Sequence, residues 1–476
     1  MPGQLIDAQV QHAYEVGQPG PVIPVHLIPL LNRSHRDNGM HAKKLRKISY
    51  LLDCLRNPSR LEPCKISFGD GDLINYLSRE IHRPDGRVAI LTQKGLTELR
   101  ELTQTLFDMQ MLGNLVGYED VASSLRSLYG KLLMEPNATC TSADLINSIC
   151  QDLKSRIRKH RFAVPLSGIR LEDISKLDLG PVWLVSDLRP TLAEAGESPV
   201  CRYVSGALEA VGSATWLVGD IEGTVDVARD RFSSLATLSL GLLAIYGAIS
   251  YERGATNFRL CTQMDAETTS ARGTYLHWHV GQPNVVVNYQ LLKHQTLQID
   301  SESADRIHAE QLFERGFVLA AGTGSSQLEM AVIRAIHWFS DAQRDLNVVM
   351  QFVKYWSCVE AFFTDSHKVV RSVSSGLATT LVAGGYGLYP PDAYFDLKKR
   401  ISKLYVARCK AVHQGHHDHV NWKDVSELSE WCAWLILTML SLLERGYTST
   451  QEIRAQVYRL DATLIKGHET TTLAEP

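Results

Sequence analysis

The sequence predicts a mixed, mainly α-helical protein with an α+β middle domain and an all-α helical bundle near its C-terminus. Apolar residues recur every three or four positions over residues 41–161 and again from residue 327 onward, which is the period of an amphipathic helix. Residues 162–320 instead contain short apolar runs separated by turn residues, a pattern typical of strands. The chain of 476 residues is long enough for roughly two to four domains.

The composition excludes several classes of protein. Apolar residues make up 45% of the chain and charged residues 21%, so it can bury sizeable cores and is not disordered. A net charge of −3 excludes a protein that is strongly basic on average, although a local basic face remains open. The nine cysteines include no Cys-x-x-Cys pair, which favours a reducing compartment over a disulfide framework or a cysteine zinc site.

We expect a soluble cytoplasmic protein with no membrane partner. The N-terminus, Met1-Pro-Gly-Gln, lacks the basic and apolar regions of a signal peptide. The two most apolar stretches, Leu235–Ile249 and Trp431–Leu443, are interrupted by small or polar residues. Both are shorter than the ~20 residues that span a bilayer.

The predicted domains are a mainly helical region at residues 1–161, an α+β domain at 162–320, a helical bundle at 325–446 and a tail at 447–476. In the first region, periodic leucine and isoleucine residues predict helices over Leu45–Leu55, Leu96–Leu106 and Leu145–Ile157. The third helix is predicted to end in the basic run Lys154–Arg161. Cations in a last helical turn are favourable, and contact of this run with a nucleic-acid backbone is the alternative.

In the middle domain, strands are predicted at Phe162–Leu171, Leu179–Val185, Ala214–Asp220, Tyr275–Val280 and Asn284–Ile299, and helices at Val200–Val211 and Thr224–Ser250. His277 and His279 alternate with apolar residues, so both should project from one strand face about 7 Å apart. Two neutral imidazoles could share a metal ion. No third ligand is evident from the spacing, so an ordinary polar strand face is the favoured interpretation.

After Gly322–Ser326, the apolar residues keep the steps of three and four that an up-and-down bundle requires. These stripes predict helices over Leu328–Leu346, Val349–Phe363, Leu397–Ala411 and Val425–Leu442. Another helix is expected around Val369–Val382, and one short helix after residue 449.

Arg408 and His413 form the strongest candidate site. Their Arg-x4-His spacing also occurs at Arg36 and at Arg272, so the bare pattern carries no information. Only the Arg408 copy lies on an amphipathic helix, with the arginine on the apolar stripe itself. A guanidinium on a helix seam is costly unless it is paired. The carboxylate on the facing stripe is Glu360, which we predict as its partner.

The spacing has a geometric consequence. Five positions along an ideal helix place two side chains about 140° apart. Arg408 and His413 can therefore converge within one chain only at a frayed helix end, where Gly415 is placed to stop the helix in the left-handed conformation. Alternatively, two copies of the chain could pack these helices together and combine their residues across a two-fold axis.

Residues 327–443 contain Trp356-Ser-Cys-Val-Glu360-Ala-Phe, Leu404-Tyr-x-x-Arg408-x-x-x-Val412-His413-x-Gly415, and a final long apolar helix. With these features the segment resembles a HEPN-type bundle, that is, a HEPN domain (higher eukaryotes and prokaryotes nucleotide-binding), and within that superfamily the Apea-like branch. The segments His160-Arg-Phe-Ala-Val-Pro-Leu-x-Gly-Ile and Leu179-Gly-Pro-Val resemble the region that precedes this domain in that branch.

The resemblance implies a metal-independent endoribonuclease without a cofactor, often a toxin-like or anti-phage effector, working as a homodimer through the bundle. In that role His413 would act as general base or acid. Arg408, supported by Glu360, would clamp the phosphate. Attack by a ribose 2′-hydroxyl would restrict the substrate to RNA. The chain departs from the family pattern at Cys409, where many active members carry Asn, Asp or His.

Three lysines on the outer side of the same predicted helix could touch RNA phosphates, or could form a solvated face: Lys399, Lys403 and Lys410. Two other interpretations of the chain remain open. One is a catalytically inactive HEPN bundle used for dimerisation or for binding RNA or nucleotides. The other is a metal hydrolase built on His277 and His279, or on the cluster His413, His416, His417, Asp418 and His419.

Overall fold

The computed structural model describes residues 35–62, 77–135, 140–193, 214–250, 258–262, 273–278, 285–290, 296–309, 311–321, 325–345, 347–364, 369–414 and 420–472. The protein is mainly α-helical with some β-sheet in the middle of the chain, and it ends in a helical bundle, as predicted. The chain divides into two compact units, residues 1–111 with 121–151, and residues 112–120 with 152–476.

The first unit contains helices with buried leucine faces and one short hairpin. Its elements are α1 (His35–Arg56), β1 (Glu80–His82), β2 (Val88–Ile90), α2 (Gln93–Phe107), α3 (Tyr118–Leu132) and α4 (Ser142–Arg156), the last two of which extend into the residues of the second unit. Leu96, Leu99, Leu102 and Leu106 are at most 2% exposed, so this predicted stripe is confirmed. The Tyr129 hydroxyl donates a 2.7 Å hydrogen bond to the carbonyl of Leu55 at the end of α1.

The antiparallel hairpin of β1 and β2 was not predicted. Each strand has three residues, too few to show an alternating pattern. Gly86 lies in the turn with φ of 78°, a conformation that glycine adopts without a steric penalty. Thr92 then caps α2 by accepting a hydrogen bond from the Gly95 N–H.

The second unit begins with a five-stranded antiparallel sheet. Its strands are β3 (Arg158–Ser167), β5 (Lys176–Leu179), β6 (Val182–Val185), β7 (Thr215–Gly223) and β8 (Cys261–Thr262), in the spatial order β5-β6-β7-β3-β8. Two smaller pairs are β4 (Ile169–Leu171) with β11 (Leu297–Ile299), which is parallel, and β9 (Gly273–Trp278) with β10 (Val285–Gln290), which is antiparallel. A short helix, α5 (Arg189–Ala193), follows β6.

Two predictions in this region were wrong in detail. The basic run Lys154–Arg161 is only partly helical. Lys154 and Arg156 lie in the last turn of α4, as predicted, but β3 begins at Arg158. Pairing of Arg161 with Asp220 on β7 draws these residues into the sheet. The single strand predicted at Leu179–Val185 is a hairpin, with Gly180 in its turn at φ of 74°. The helix predicted at Val200–Val211 lies outside the described residues.

The remaining helices are α6 (Val225–Ser250), α7 (Ser301–Ala309), α8 (Gln311–Ala321), α9 (Gln327–Arg344), α10 (Val348–Phe363), α11 (Val369–Ala383), α12 (Tyr394–Gln414), α13 (Trp422–Glu444) and α14 (Thr450–Thr472). The apolar stripes predicted on α9 and α13 are buried: Leu328, Val332, Ala335, Phe339, Val425, Leu428, Cys432 and Leu435. The last helix was predicted to be short, but it has 23 residues. Its buried Ile453 and Val457 are too sparse to give a strong periodic signal.

The helix α6 is the centre of the second unit, because it belongs to two layers at once. It packs against β3 and β7 of the sheet and also against α8, α9 and α13. Its middle, from Leu238 to Ala248, is buried on every side, which is typical of a core helix. Sheet and bundle therefore share one apolar core. The domain boundaries predicted from the sequence at residues 162, 325 and 447 stay predictions.

Two described helices, α6 and α13, are long and apolar enough to cross a membrane by length and composition. Within the protein, however, 78% and 67% of their most apolar windows are buried. Their apolar surface is thus covered by the rest of the fold, as in the core helices of a soluble protein.

The close approach of α6 and α9 can be tested at Gly241. A Cβ at this position would lie 2.7 Å from Cγ2 of Ile336 and 3.2 Å from its carbonyl oxygen, so the two helices would have to move apart. We expect Gly241→Ala to lower the free energy of unfolding by about 1–3 kcal/mol in urea denaturation. Ser233→Ala, at an exposed position of the same helix, is the control and should stay within about 0.5 kcal/mol. An unchanged stability of Gly241→Ala would contradict this packing.

Candidate functional site

The candidate site lies on α12. Ion pairs connect this helix to three neighbouring helices. Lys398 lies 3.0 Å from Asp461 of α14, and Arg400 lies 2.8 Å from Glu427 of α13. The third pair, described next, joins α12 to α10. Between these contacts the helix buries Leu397, Ile401 and Leu404, so its rotation about its own axis is determined by packing as well as by charge.

Arg408 of α12 is paired with Glu360 of α10, as predicted from its place on the apolar stripe. Its Nη2 lies 2.9 Å from Oε2 of Glu360. The other carboxylate oxygen, Oε1, accepts a 2.7 Å hydrogen bond from the hydroxyl of Tyr405. The side chains of Arg408 and Glu360 are 17% and 21% exposed, so water screens this interaction only in part.

Aromatic rings lie beneath the guanidinium. The central carbon of the Arg408 guanidinium lies 5.8 Å from the ring centroid of Tyr405, within the range of a cation–π contact. The ring of Tyr405 meets the buried ring of Trp356 edge-on, at 5.0 Å between centroids. Burial and the Glu360 carboxylate raise the pKa of Tyr405, so its hydroxyl keeps its proton and remains a hydrogen-bond donor.

The Nε donor of the Arg408 guanidinium is buried and has no hydrogen-bond partner within the described part of the chain. A buried donor without a partner is costly. The cluster of Arg408, Glu360 and Tyr405 thus holds an oriented cation, and the Arg408 side chain remains 17% exposed.

His413 lies on a different side of α12. The helix continues to Gln414, so His413 occupies a regular last turn and its side chain is exposed. On a regular helix, side chains five positions apart point about 140° away from each other. One copy of the chain therefore does not bring His413 onto the Arg408 cluster. Gly415, which was predicted to end the helix, lies outside the described residues.

The exposed face of α12 combines the imidazole with cations. Lys399, Lys403 and Lys410 are all exposed, and ideal helical geometry places them within about 80° of His413. Cys409 lies at the border of this face, since ideal geometry places it about 40° from His413 on the side away from the lysines, where it is half-buried and packs against the core.

The histidines considered for metal binding form no site that the described residues support. His277 lies on β9, opposite Val286 of β10, while His279 and the cluster at 416–419 lie outside the described residues. Among the residues that the structure describes, no group of three or more His, Cys, Asp or Glu side chains could hold a metal ion.

Tyr405 stands in the motif that carries the resemblance, but the sequence reasoning gave it no role in the site. It precedes Arg408 by three residues, a spacing that puts both on one helix face, and this was the available signal.

Comparison of the chain with family models, with curated proteins and with solved structures finds no match. The resemblance to HEPN domains therefore rests on the motifs around Glu360 and Arg408.

The strength of the Arg408–Glu360 pair can be measured with a double-mutant cycle of Arg408→Ala and Glu360→Ala. We expect a coupling energy of about 1–3 kcal/mol in chemical denaturation, because both groups are largely shielded from water. The exposed pair Arg306–Glu302, whose side chains are 56% and 79% exposed, is the matched control. It should show at most about 0.5 kcal/mol, and equal couplings in the two cycles would contradict the shielding of the Arg408 pair.

Proposed function

We propose that this protein is a metal-independent endoribonuclease of HEPN type that acts as a homodimer in the cytoplasm, as a toxin-like or anti-phage effector. The observation that carries the proposal is the oriented Arg408, held by Glu360 and Tyr405, on a helix that also exposes His413 and three lysines. These groups supply the two parts that cleavage of RNA through its own 2′-hydroxyl requires, a proton acceptor and a phosphate clamp.

In the proposed reaction, His413 removes the proton from a ribose 2′-hydroxyl, and the oxygen attacks the adjacent phosphorus. The bond from phosphorus to the 5′-oxygen breaks, and that oxygen takes up a proton from water, while protonated His413 later returns its proton to solvent. The products are a 2′,3′-cyclic phosphate and a 5′-hydroxyl. Arg408 stabilises the charge that accumulates on the phosphoryl oxygens. Because DNA lacks the 2′-hydroxyl, the reaction is specific for RNA.

A dimer resolves the separation of the two catalytic groups. Within one chain Arg408 and His413 point to different sides of α12, so the proposal places Arg408 of one copy near His413 of another. Two valines near the end of α12, Val406 and Val412, are 44% and 46% exposed. Burial of such side chains between two copies would favour association.

We expect Arg408→Ala and His413→Ala each to reduce RNA cleavage about 100-fold or more, because each removes one catalytic part. Cleavage of labelled RNA is measured in EDTA, with growth toxicity as a second readout. The matched controls are Arg306→Ala and His308→Ala on the exposed face of α7, which should cleave like the unaltered protein. Cleavage that survives both changes on α12 would overturn the proposal, and loss of cleavage in EDTA alone would favour a metal hydrolase.

The shared site makes a second prediction. Arg408→Ala and His413→Ala proteins, each inactive alone, should recover about one quarter of the activity after mixing and subunit exchange, since half of the dimers are mixed and each has one intact site. A site formed within a single chain would show no recovery. The dimer itself is checked by analytical ultracentrifugation at the concentration used for the assay.

A catalytically inactive RNA-binding bundle is the second candidate function. Cys409, half-buried against the core, favours it, because many active HEPN proteins have a polar side chain directly after the arginine. In that case the unaltered protein would bind RNA and leave it intact, and the exposed lysines of α12 would account for the binding.

A further inference from the structure

A second concave site lies in the sheet, on the face that does not pack against α6. Strand alternation puts Arg161 of β3, Lys176 of β5 and Trp183 of β6 on this face. Together with Asp187 and Thr191 they line a cavity of about 460 Å³. This volume falls within the range of about 300–1,000 Å³ that is usual for small-molecule sites.

The cavity contains an aromatic ring that lies close to two cations. The guanidinium carbon of Arg161 lies 5.6 Å from the ring centroid of Trp183, and Nζ of Lys176 lies 5.4 Å from it. Both distances are those of cation–π contacts. Lys176 comes from the adjacent strand β5, and Arg161 comes from β3, which lies beyond β7 on the other side of β6.

The plane of Arg161 is held in place by a bidentate contact. Its Nε and Nη2 donate hydrogen bonds of 2.6 and 2.9 Å to the two oxygens of Asp220. Hydrogen bonds from Arg161, together with Lys159, lower the pKa of Asp220, so the carboxylate stays ionised near neutral pH. The side chain of Arg161 is nevertheless 39% exposed, so part of a flat, cationic surface remains accessible beside Trp183.

The carboxylates around the cavity are engaged by neighbouring groups. Asp187 accepts a 3.0 Å hydrogen bond from the Arg189 N–H and lies 3.2 Å from its side-chain Nε. Lys176 lies 2.8 Å from Asp178. Positive and negative charges are therefore nearly balanced, and affinity must come from short-range contacts rather than from a net positive field.

The floor of the cavity is apolar. Val185 lines it and belongs to a buried cluster with Leu188, Trp216 and Val218, against which Trp183 packs. An apolar floor with a few oriented donors is the usual composition of a ligand site. A planar heterocycle can stack on an indole or on a guanidinium plane, and an ammonium can donate hydrogen bonds to a phosphate.

We propose that this cavity binds a nucleotide unit, with its base stacked on Trp183 and Arg161 and its phosphate held by Lys176. The unit is either part of an RNA strand or a free nucleotide, since both present the same chemistry. This proposal goes beyond RNA cleavage and does not depend on it, because binding is measured in the His413→Ala background, where no cleavage is expected.

The test is isothermal titration calorimetry of the full-length His413→Ala protein with AMP, with ATP and with a short oligoribonucleotide. We expect Trp183→Ala to weaken binding about 10-fold or more, and Trp183→Phe, which keeps a stacking ring, to weaken it less. Trp338→Ala, at a tryptophan of α9 that is 42% exposed, is the matched control and should bind like the parent. Because Trp183 contributes to packing, Lys176→Ala at an exposed position is a second variant and should weaken binding several-fold.

Either source of the nucleotide leaves the proposal standing. Equal affinity for ATP and the oligoribonucleotide indicates a free nucleotide, whereas much tighter binding of the oligoribonucleotide indicates an RNA strand. Binding of all probes by Trp183→Ala and Lys176→Ala with the affinity of the parent would overturn the proposal, and so would the absence of binding by the parent at millimolar concentrations. A steep salt dependence that persists in both variants would place binding on the lysines of α12 instead.

Discussion

The arrangement of the C-terminal helices depends on the cost of placing a guanidinium on an apolar helix seam. Arg408 interrupts a stripe whose other members, Leu404 and Ala411, are buried. Removal of such a charge from water is unfavourable unless an opposite charge and hydrogen bonds compensate for it. Glu360 does so from α10, and its second oxygen is occupied by Tyr405. This requirement brings α10 and α12 together and aligns the guanidinium, so one constraint explains both the packing and the candidate site.

The side chains of Arg408, Glu360 and Tyr405 keep their positions because the surrounding residues are closely packed. Trp356, fully buried on α10, supports Tyr405 from below. The stability of the bundle depends in turn on α6, which packs against α9 and α13 and carries the sheet on its other side. Close packing of this kind transmits small displacements, since protein interiors are nearly incompressible. A change on α6 far from Arg408 can therefore alter the position of the guanidinium without touching it.

The pairing of Arg408 with Glu360 could be predicted from the sequence because the argument is local, with a charge on an apolar stripe and a carboxylate on the facing stripe. The cavity beside Trp183 could not be predicted in this way. Arg161 and Trp183 come from strands that are separated by β7, and their contact follows from strand register, which the periodicity of a single strand does not encode. The hairpin of β1 and β2 and the length of α14 were missed for a related reason, because short strands and sparse apolar stripes give weak periodic signals.

The position of His413 gives the proposed site its most specific property. Because α12 is helical through Gln414, ideal geometry points the imidazole and the guanidinium about 140° apart. A site that needs both groups must then be assembled from two copies, so its population depends on protein concentration by mass action. An enzyme of the proposed kind would be nearly inactive when dilute, and its activity would rise more steeply than its abundance. Under the proposed ribonuclease function, assembly would limit RNA cleavage without a separate inhibitor.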